Sequence, residues 1–235
     1  MKLLSNPRAQ RALVEFVGFV LLGQLIKSVL DVVIWQYAGP ITLLIMLSVI
    51  GLYMRSRGEL PSSIGLVRLS SRKNYLLIAP QIALAFLAII ASGAVVTLVG
   101  EASSLEFMKP DHSGARARFG DLEGNTSLYF FWLAILWFAG PAEELYFRGF
   151  MIEKLQKALG KSRLSIALSV FIPAAIFGFG HMYYQGLRGF FTTGTIALTL
   201  GILFLLYKRN IWPLMIAHAA VNTLIFTLQY LGLEA

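Results

Sequence analysis

Two adjacent glutamates and an arginine interrupt one of the most apolar parts of the sequence. Glu143 and Glu144 follow an uncharged run over 128–138, and Arg148 precedes further apolar residues. Each ionised side chain near the centre of a membrane helix costs about 2.5–3.5 kcal/mol on insertion scales, whereas a leucine or phenylalanine returns only about 0.3–0.6 kcal/mol. Such residues are therefore expected to face a protein interior or a wet cavity, and to have a function there.

The spacing of these three residues predicts different roles for the two glutamates. Glu144 and Arg148 are four residues apart, so their side chains can meet on one face of a helix. Glu143 is rotated from Glu144 by about 100° and projects onto a neighbouring face. One carboxylate can therefore be neutralised within the helix, and the other needs a partner from elsewhere in the chain.

The histidines supply candidate partners, and the chain has only three of them. His112 lies in a polar segment, whereas His181 ends an apolar run and His218 sits inside another. Asn222 follows His218 by four residues, so both lie on one helical face. The segment 177–180 before His181 contains two glycines, which favour the close approach of another helix in a membrane.

Composition places these residues in a membrane protein. Hydrophobic residues make up 57% of the 235 residues and charged residues only 14%, whereas a soluble domain carries about 25% charge. Continuous apolar runs favour helices over a barrel of alternating strands. The absence of cysteine excludes disulfides, thiolate catalysis and cysteine-based zinc sites. The net charge of +8 lies in short segments flanking apolar runs, which argues against nucleic acid as a partner.

We predict an all-α, polytopic transmembrane helical bundle with about seven spans, within a range of about six to eight. Residues 1–127 would hold N-terminal spans and a polar loop over 101–127, and residues 128–235 would form the catalytic helical core of the same single membrane domain. The predicted spans are, in chain order, 12–35, 41–54, 75–99, 128–152, 164–181, 190–207 and 211–230.

The placement of positive charge predicts the orientation of the chain in the lipid bilayer. With seven spans and a cytoplasmic N-terminus, the inner segments hold 14 of the 20 lysines and arginines. The positive-inside rule therefore favours a cytoplasmic N-terminus. The short length favours the plasma membrane of a prokaryote. Within the first span, Lys27 and Asp31 are four apart and are expected to pair.

Three motifs occur in a fixed order in successive apolar runs: Glu-Glu-x-x-x-Arg from Glu143, Phe-x-x-x-His from Phe177 and His-x-x-x-Asn from His218. This ordered set resembles the CPBP family of CAAX-prenyl-protease and bacteriocin-processing enzymes, also called the Abi family. The resemblance covers roughly residues 128–231. It implies an intramembrane endopeptidase of the glutamate type, whose partner is a protein or peptide substrate in the membrane.

The resemblance implies four catalytic residues. Glu143 would be the general base, and His181 would help to orient water. His218 and Asn222 would form an oxyanion hole, in which one donor can contribute roughly 3–4 kcal/mol to the transition state.

Three further residues are implied to support the site, and no cofactor is expected. The supporting residues are Glu144, Arg148 and Phe177. The ion pair between Glu144 and Arg148 would hold the helix and its charge in place.

Two alternatives stay open on the same residues. A zinc ion held by Glu143, His181 and His218 would give a metal-dependent version of the protease, although the sequence has no His-Glu-x-x-His motif. A non-catalytic immunity, scaffold or transport protein could also use this polar network. Against a transporter, the sequence shows no inverted repeat and no pair of broken helices in matching positions.

The three motifs can form one site only if their helices bring them to the same depth in the membrane. Straight helices that begin at one membrane plane would place Glu143, His181 and His218 at different depths. The helices must therefore tilt, kink or begin at different heights, and Pro141 and Pro173 are candidates for kinks.

Overall fold

Helices make up most of the chain in the computed structural model, which describes residues 6–109, 111 and 113–233. His112 lies outside the described residues. Within those ranges no β-strand occurs, so the all-α prediction is confirmed. The α-helices are, in chain order, α1 (Pro7–Ile34), α2 (Ala38–Ser56), α3 (Arg72–Ser103), α4 (Ser113–Phe119), α5 (Thr126–Glu143), α6 (Ile152–Leu159), α7 (Arg163–Leu206) and α8 (Trp212–Tyr230).

Four helices are long and apolar enough to cross a membrane: Pro7–Ile34, Ala38–Ser56, Asn74–Ser103 and Arg163–Leu206. The predicted second span, 41–54, would cover only about 21 Å of a bilayer core of about 30 Å. The 19 residues of α2 extend about 28 Å. Large apolar side chains remain exposed along these helices, as expected for surfaces that face lipid; they include Val14, Val32, Leu52, Leu98 and Leu206. The chain is an integral membrane protein.

The predicted fifth and sixth spans are two arms of one kinked helix, α7. The kink is at Gly186, whose φ of 64° and ψ of −166° are not helical. A positive φ favours glycine, so the residue type explains where the helix breaks. The residues between the two predicted spans, 182–189, are therefore helical except at Gly186. With α5–α6 and α8, the described residues contain seven helical segments of the predicted order.

The two arms of α7 pack closely at Gly178. A Cβ atom added there would lie 2.6 Å from the carbonyl oxygen of Phe190 and 3.1 Å from the Cα atom of Gly194. At Gly180 an added Cβ would meet no atom within 4 Å. Of the two glycines that predict close helix packing, Gly178 alone makes such a contact.

Gly178→Ala is therefore expected to destabilise the protein by at least about 1–3 kcal/mol, because the obstructing atoms belong to the backbone and cannot rotate away. Gly180→Ala, two residues along the same helix, is the matched control and should be neutral or slightly stabilising. Thermal unfolding in detergent compares the two variants. Equal melting temperatures would show that the arms are not in contact at Gly178.

The apolar core has two main parts. One lies between α1, α2 and the α5–α6 segment, and the other between α3, α7 and α8. The segment 55–73, which connects the predicted spans 41–54 and 75–99, is partly packed against both parts. Ile64 is buried, the Ile211 N–H donates to the Gly65 carbonyl oxygen at 3.1 Å, and Trp212 Nε1 donates to the Val67 oxygen at 3.1 Å.

A buried lysine lies at the end of the bundle where α1 begins. Lys154 is 1% exposed and pairs with Glu15 and Glu59, each at 2.9 Å. In the sequence, Lys154 follows the end of the predicted span 128–152. In the structure it lies inside the protein, and α6 extends the same run to Leu159. The helical run 126–159 therefore extends beyond the end of the predicted span 128–152.

The polar segment 101–127 is not simply a loop. It contains the end of α3, a 3₁₀ turn at Glu106–Met108 and the short helix α4. Trp132 Nε1 on α5 donates to the Phe119 carbonyl oxygen at 2.8 Å, and Arg118 is buried. The segment is therefore anchored on the bundle.

Candidate active site

A cavity of about 530 Å³ opens among the helices, and all four predicted catalytic residues line it: Glu143, His181, His218 and Asn222. Its walls come from α4, the second halves of α1 and α3, the first half of α2, and α8 from His218 onward, together with α5 and its continuation and both arms of α7 beside the kink. These portions meet at the end of the bundle that carries α4. With the break at Gly186, the helices are not all straight, and the three motifs meet at one cavity.

The helix changes geometry where the charged motif begins. Glu144–Met151 is π-helical, and the Ile152 N–H donates to the Phe147 carbonyl oxygen, five residues back. Segments of π-helix occur frequently at functional sites. The motif was predicted to form an ordinary α-helix, and this prediction is wrong for Glu144–Met151.

The two glutamates lie in different surroundings. The Glu143 side chain is 19% exposed and lines the cavity, whereas the Glu144 side chain is fully buried. Arg148 Nη1 lies 3.0 Å from Glu144 Oε1, which gives the ion pair expected from their spacing. The approach is not an aligned hydrogen bond, and neither terminal nitrogen of Arg148 has a hydrogen-bond partner within the described part of the chain.

His218 lies between the two glutamates. Its Nδ1 atom is 2.8 Å from Glu144 Oε1, and its Nε2 atom is 3.6 Å from Glu143 Oε2. A carboxylate accepts hydrogen bonds, so the Nδ1 atom carries a proton and donates to Glu144. In the neutral imidazole, Nε2 is then an acceptor, and only the imidazolium donates from both nitrogens.

Asn222 lies beside His218 on α8 and close to α5. A Cβ atom added at Gly140 would lie 3.2 Å from Asn222 Nδ2 and 3.4 Å from the His218 ring. The absence of a side chain at Gly140 therefore lets the amide and the imidazole approach the α5 backbone one turn before Glu143.

His181 is fixed by its own helix. Its Nδ1 atom lies 2.9 Å from the Phe177 carbonyl oxygen, and because a carbonyl only accepts, Nδ1 is the protonated nitrogen. Nε2 is then available as an acceptor for a water in the cavity. The His181 ring also contacts the Phe177 ring, with centroids 4.5 Å apart.

Phe177 connects the two sides of the site. Its ring lies 4.9 Å from the guanidinium carbon of Arg148, a cation–π contact. The three supporting residues are therefore in contact one after another, from Glu144 through Arg148 to Phe177, and Phe177 also lines the cavity beside His181.

The alternative ligand set is not assembled as a metal site. Across the residues that the structure describes, no three His, Cys, Asp or Glu side chains are grouped so that they could hold a metal ion. Glu143, His181 and His218 therefore line one cavity without forming such a group. The expectation that no cofactor takes part stays a prediction.

Sequence reasoning missed two features of the site. Nothing in the sequence indicated that Gly140 belongs to the site. Its contribution is the absence of a side chain where α5 contacts α8. The bond from His218 to Glu144 was also missed, since Glu144 already had a partner in Arg148. The order of motifs grouped His218 with the two glutamates but did not say which glutamate it would contact.

The fold and the cavity together define a class: a helical membrane protein with a cavity among its helices that is lined by a glutamate, two histidines and an asparagine. Residues 125–224, less than half of the chain, match the family model described as "Rce1-like: Type II CAAX prenyl endopeptidase Rce1-like". This stretch contains all three motifs, and the match supports the resemblance to the CPBP family of CAAX-protease-like proteins. No curated protein and no solved structure matches the chain.

Proposed function

We propose that this protein is a membrane-embedded endopeptidase that hydrolyses a peptide bond with a water activated by Glu143. One observation carries the proposal. Glu143 lines a cavity together with His181, His218 and Asn222, whereas Glu144 is buried behind it against Arg148. The carboxylate with access to water is thus separated from the carboxylate with a structural partner. The family match to CAAX endopeptidases supports the reaction class.

The proposed first step is the attack of water on the peptide carbonyl carbon. Glu143 accepts a proton from that water, and His181 Nε2 accepts the hydrogen bond that orients it. The water oxygen forms a bond to carbon, and the carbonyl π electrons move to the oxygen. In the second step this oxyanion re-forms the carbonyl, the C–N bond breaks, and Glu143 returns the proton to the leaving amine.

Two donors would stabilise the oxyanion: Asn222 Nδ2 and His218 Nε2. Because His218 Nδ1 already donates to Glu144, a donor at Nε2 requires the imidazolium. Charge balance supports that form. The two carboxylates of Glu143 and Glu144 are then matched by two cations, Arg148 and His218, in a site that is mostly buried.

The direction of substrate entry follows from where the cavity lies. The cavity occupies the end of the bundle that carries α4, the end opposite to the start of α1. With the N-terminus in the cytoplasm, as the distribution of lysine and arginine favours, this is the non-cytoplasmic half of the bilayer. The substrate would be a protein or peptide that reaches the cavity from that side.

Cleavage by purified protein tests the proposal. The protein in detergent micelles is incubated with a mixed-sequence library of apolar peptides that carry a fluorophore and a quencher. The expected result is fluorescence release with new amino termini at defined positions, detected by mass spectrometry. Binding of these peptides without any cleavage would favour the non-catalytic immunity or transport alternative.

We predict that cleavage does not depend on a transition metal. The motif residues have assignable roles as base, acceptor and hydrogen-bond donors, and asparagine is a poor zinc ligand. Initial rates should therefore be unchanged after incubation with a strong chelator and gel filtration. Loss of the rate, with recovery on addition of zinc, would instead support the metalloprotease alternative.

A further inference from the structure

Arg118 on α4 is a buried cation. It is 7% exposed, and no Asp or Glu among the described residues forms an ion pair with it. A guanidinium that leaves water loses much solvation energy, and an opposite charge normally compensates it. The position of Arg118 is therefore costly unless an anion from outside the chain joins it.

The guanidinium is held in place but not saturated. Arg118 Nε donates to the Gln36 carbonyl oxygen at 3.3 Å, and Nη1 donates to the Tyr183 hydroxyl. The Tyr184 ring lies 4.6 Å from the guanidinium carbon. An arginine has five N–H donors, and Nη2, beside Gly39, makes no hydrogen bond to the described residues. A rigid fork with free donors is suited to binding a carboxylate.

Arg118 lines the same cavity as Glu143. The charged residues of the lining are Lys27, Arg118, Glu143 and Arg188, so cations outnumber carboxylates there. Lys27 is neutralised by Asp31 at 2.6 Å, and Arg188 donates to the hydroxyl of Thr97 at 3.1 Å. Arg118 is thus the cation that combines burial, fixed geometry and free donors.

We propose that Arg118 binds a carboxylate of the peptide substrate on the side of the scissile bond that lies toward α4. This inference rests on the proposed peptidase function and adds a specificity subsite to it. Arg118 donates to Tyr183, two residues after His181, and lines the same cavity as Glu143, so it lies near the reacting groups. An extended chain covers about 3.3–3.6 Å per residue. The carboxylate would therefore belong to a residue within a few positions of the cleaved bond.

Two sources can supply that carboxylate, a free C-terminus or an acidic side chain, and binding measurements separate them. Three fluorescein-labelled apolar hexapeptides are compared: a free acid, its C-terminal amide, and an amide with Asp at the last position. Fluorescence anisotropy is recorded with the Glu143→Gln protein, which prevents turnover. Because hydrogen bonds to charged groups are worth about 1.5–3 kcal/mol, the acid should bind about 10- to 100-fold more tightly than the amide.

Variants assign the preference to Arg118. Arg118→Gln should bind acid and amide equally, whereas Arg118→Lys should keep part of the preference because it keeps the charge. Arg188→Gln, which removes another cation from the same lining, is the matched control and should keep the preference in full. Equal binding of the Asp amide and the free acid would identify any nearby carboxylate as sufficient, and weak binding of the Asp amide would identify the terminus.

The proposal fails if acid and amide bind alike before Arg118 is changed, a comparison that needs no variant at this position. It also fails if the preference survives Arg118→Gln, or if Arg188→Gln removes it equally. Failure of the peptidase function gives a different pattern. Retained acid preference without cleavage by the unsubstituted protein would overturn the catalytic proposal alone, and cleavage without preference would overturn the subsite alone.

Discussion

Glu143→Gln protein is expected to lose peptide hydrolysis by a factor of about 10²–10⁴ while it folds and inserts as the unsubstituted chain does. Glutamine has the same size and can occupy the same space on the cavity wall, but it cannot accept a proton from water. The Glu143 side chain is partly exposed to the cavity and makes no ion pair with Arg148. Its removal as a charge should therefore not disrupt the buried pair of Glu144 and Arg148.

Initial rates on one fluorogenic peptide, measured with matched amounts of folded protein, give this loss directly. Thermal unfolding and gel filtration show whether the variant is folded. Glu106→Gln is the control, because Glu106 is exposed and pairs only with exposed Lys109. A rate near that of the unsubstituted protein would exclude Glu143 as the base and leave Glu144 or a metal-bound water as the remaining candidates.

The four residues proposed for the site could be selected from the sequence because polar residues are rare inside membrane spans. An ionised or imidazole side chain inside an apolar run carries a free-energy cost, so its presence indicates a function. Glu143, His181 and His218 could be selected on this ground without any knowledge of packing. The structure then brings them to one cavity. The division of the chain at residue 127 into two parts of one domain stays a prediction.

The details of contact could not be predicted because they depend on local backbone geometry. Helical spacing correctly paired Glu144 with Arg148, yet the segment that holds them is π-helical. The kink at Gly186 lies in the interval 182–189, which was predicted only as the connection between two spans. Both features alter the direction of a helix within a few residues, and apolar periodicity contains no information about them.

Arg118 illustrates a different limit of sequence reasoning. Its charge was counted among the loop residues that set topology, because the polar segment around it contains several glycines and charges. Burial of Arg118 depends on how α4 folds back over the end of the bundle, against the kink of α7. A short helix of seven residues has little periodicity to indicate which side faces inward.

Arg148→Ala is expected to destabilise the protein by about 3–5 kcal/mol, because it leaves the Glu144 carboxylate without its cation in a fully buried position. Glu144→Gln combined with Arg148→Met should recover much of this loss, since no charge is then stranded. The glutamine retains an oxygen that can accept from His218 Nδ1, so the imidazole keeps its support. The two substitutions should therefore be strongly non-additive.

A double-mutant cycle on thermal stability in detergent measures this coupling. The comparison cycle pairs Arg148→Met with Glu143→Gln, and its coupling should be much smaller because Glu143 faces the cavity. A third cycle on Glu106 and Lys109, an exposed pair at 2.6 Å, should give almost none, since water screens both charges. If Arg148 couples more strongly to Glu143 than to Glu144, the two glutamates have exchanged roles, and Glu144 becomes the candidate base.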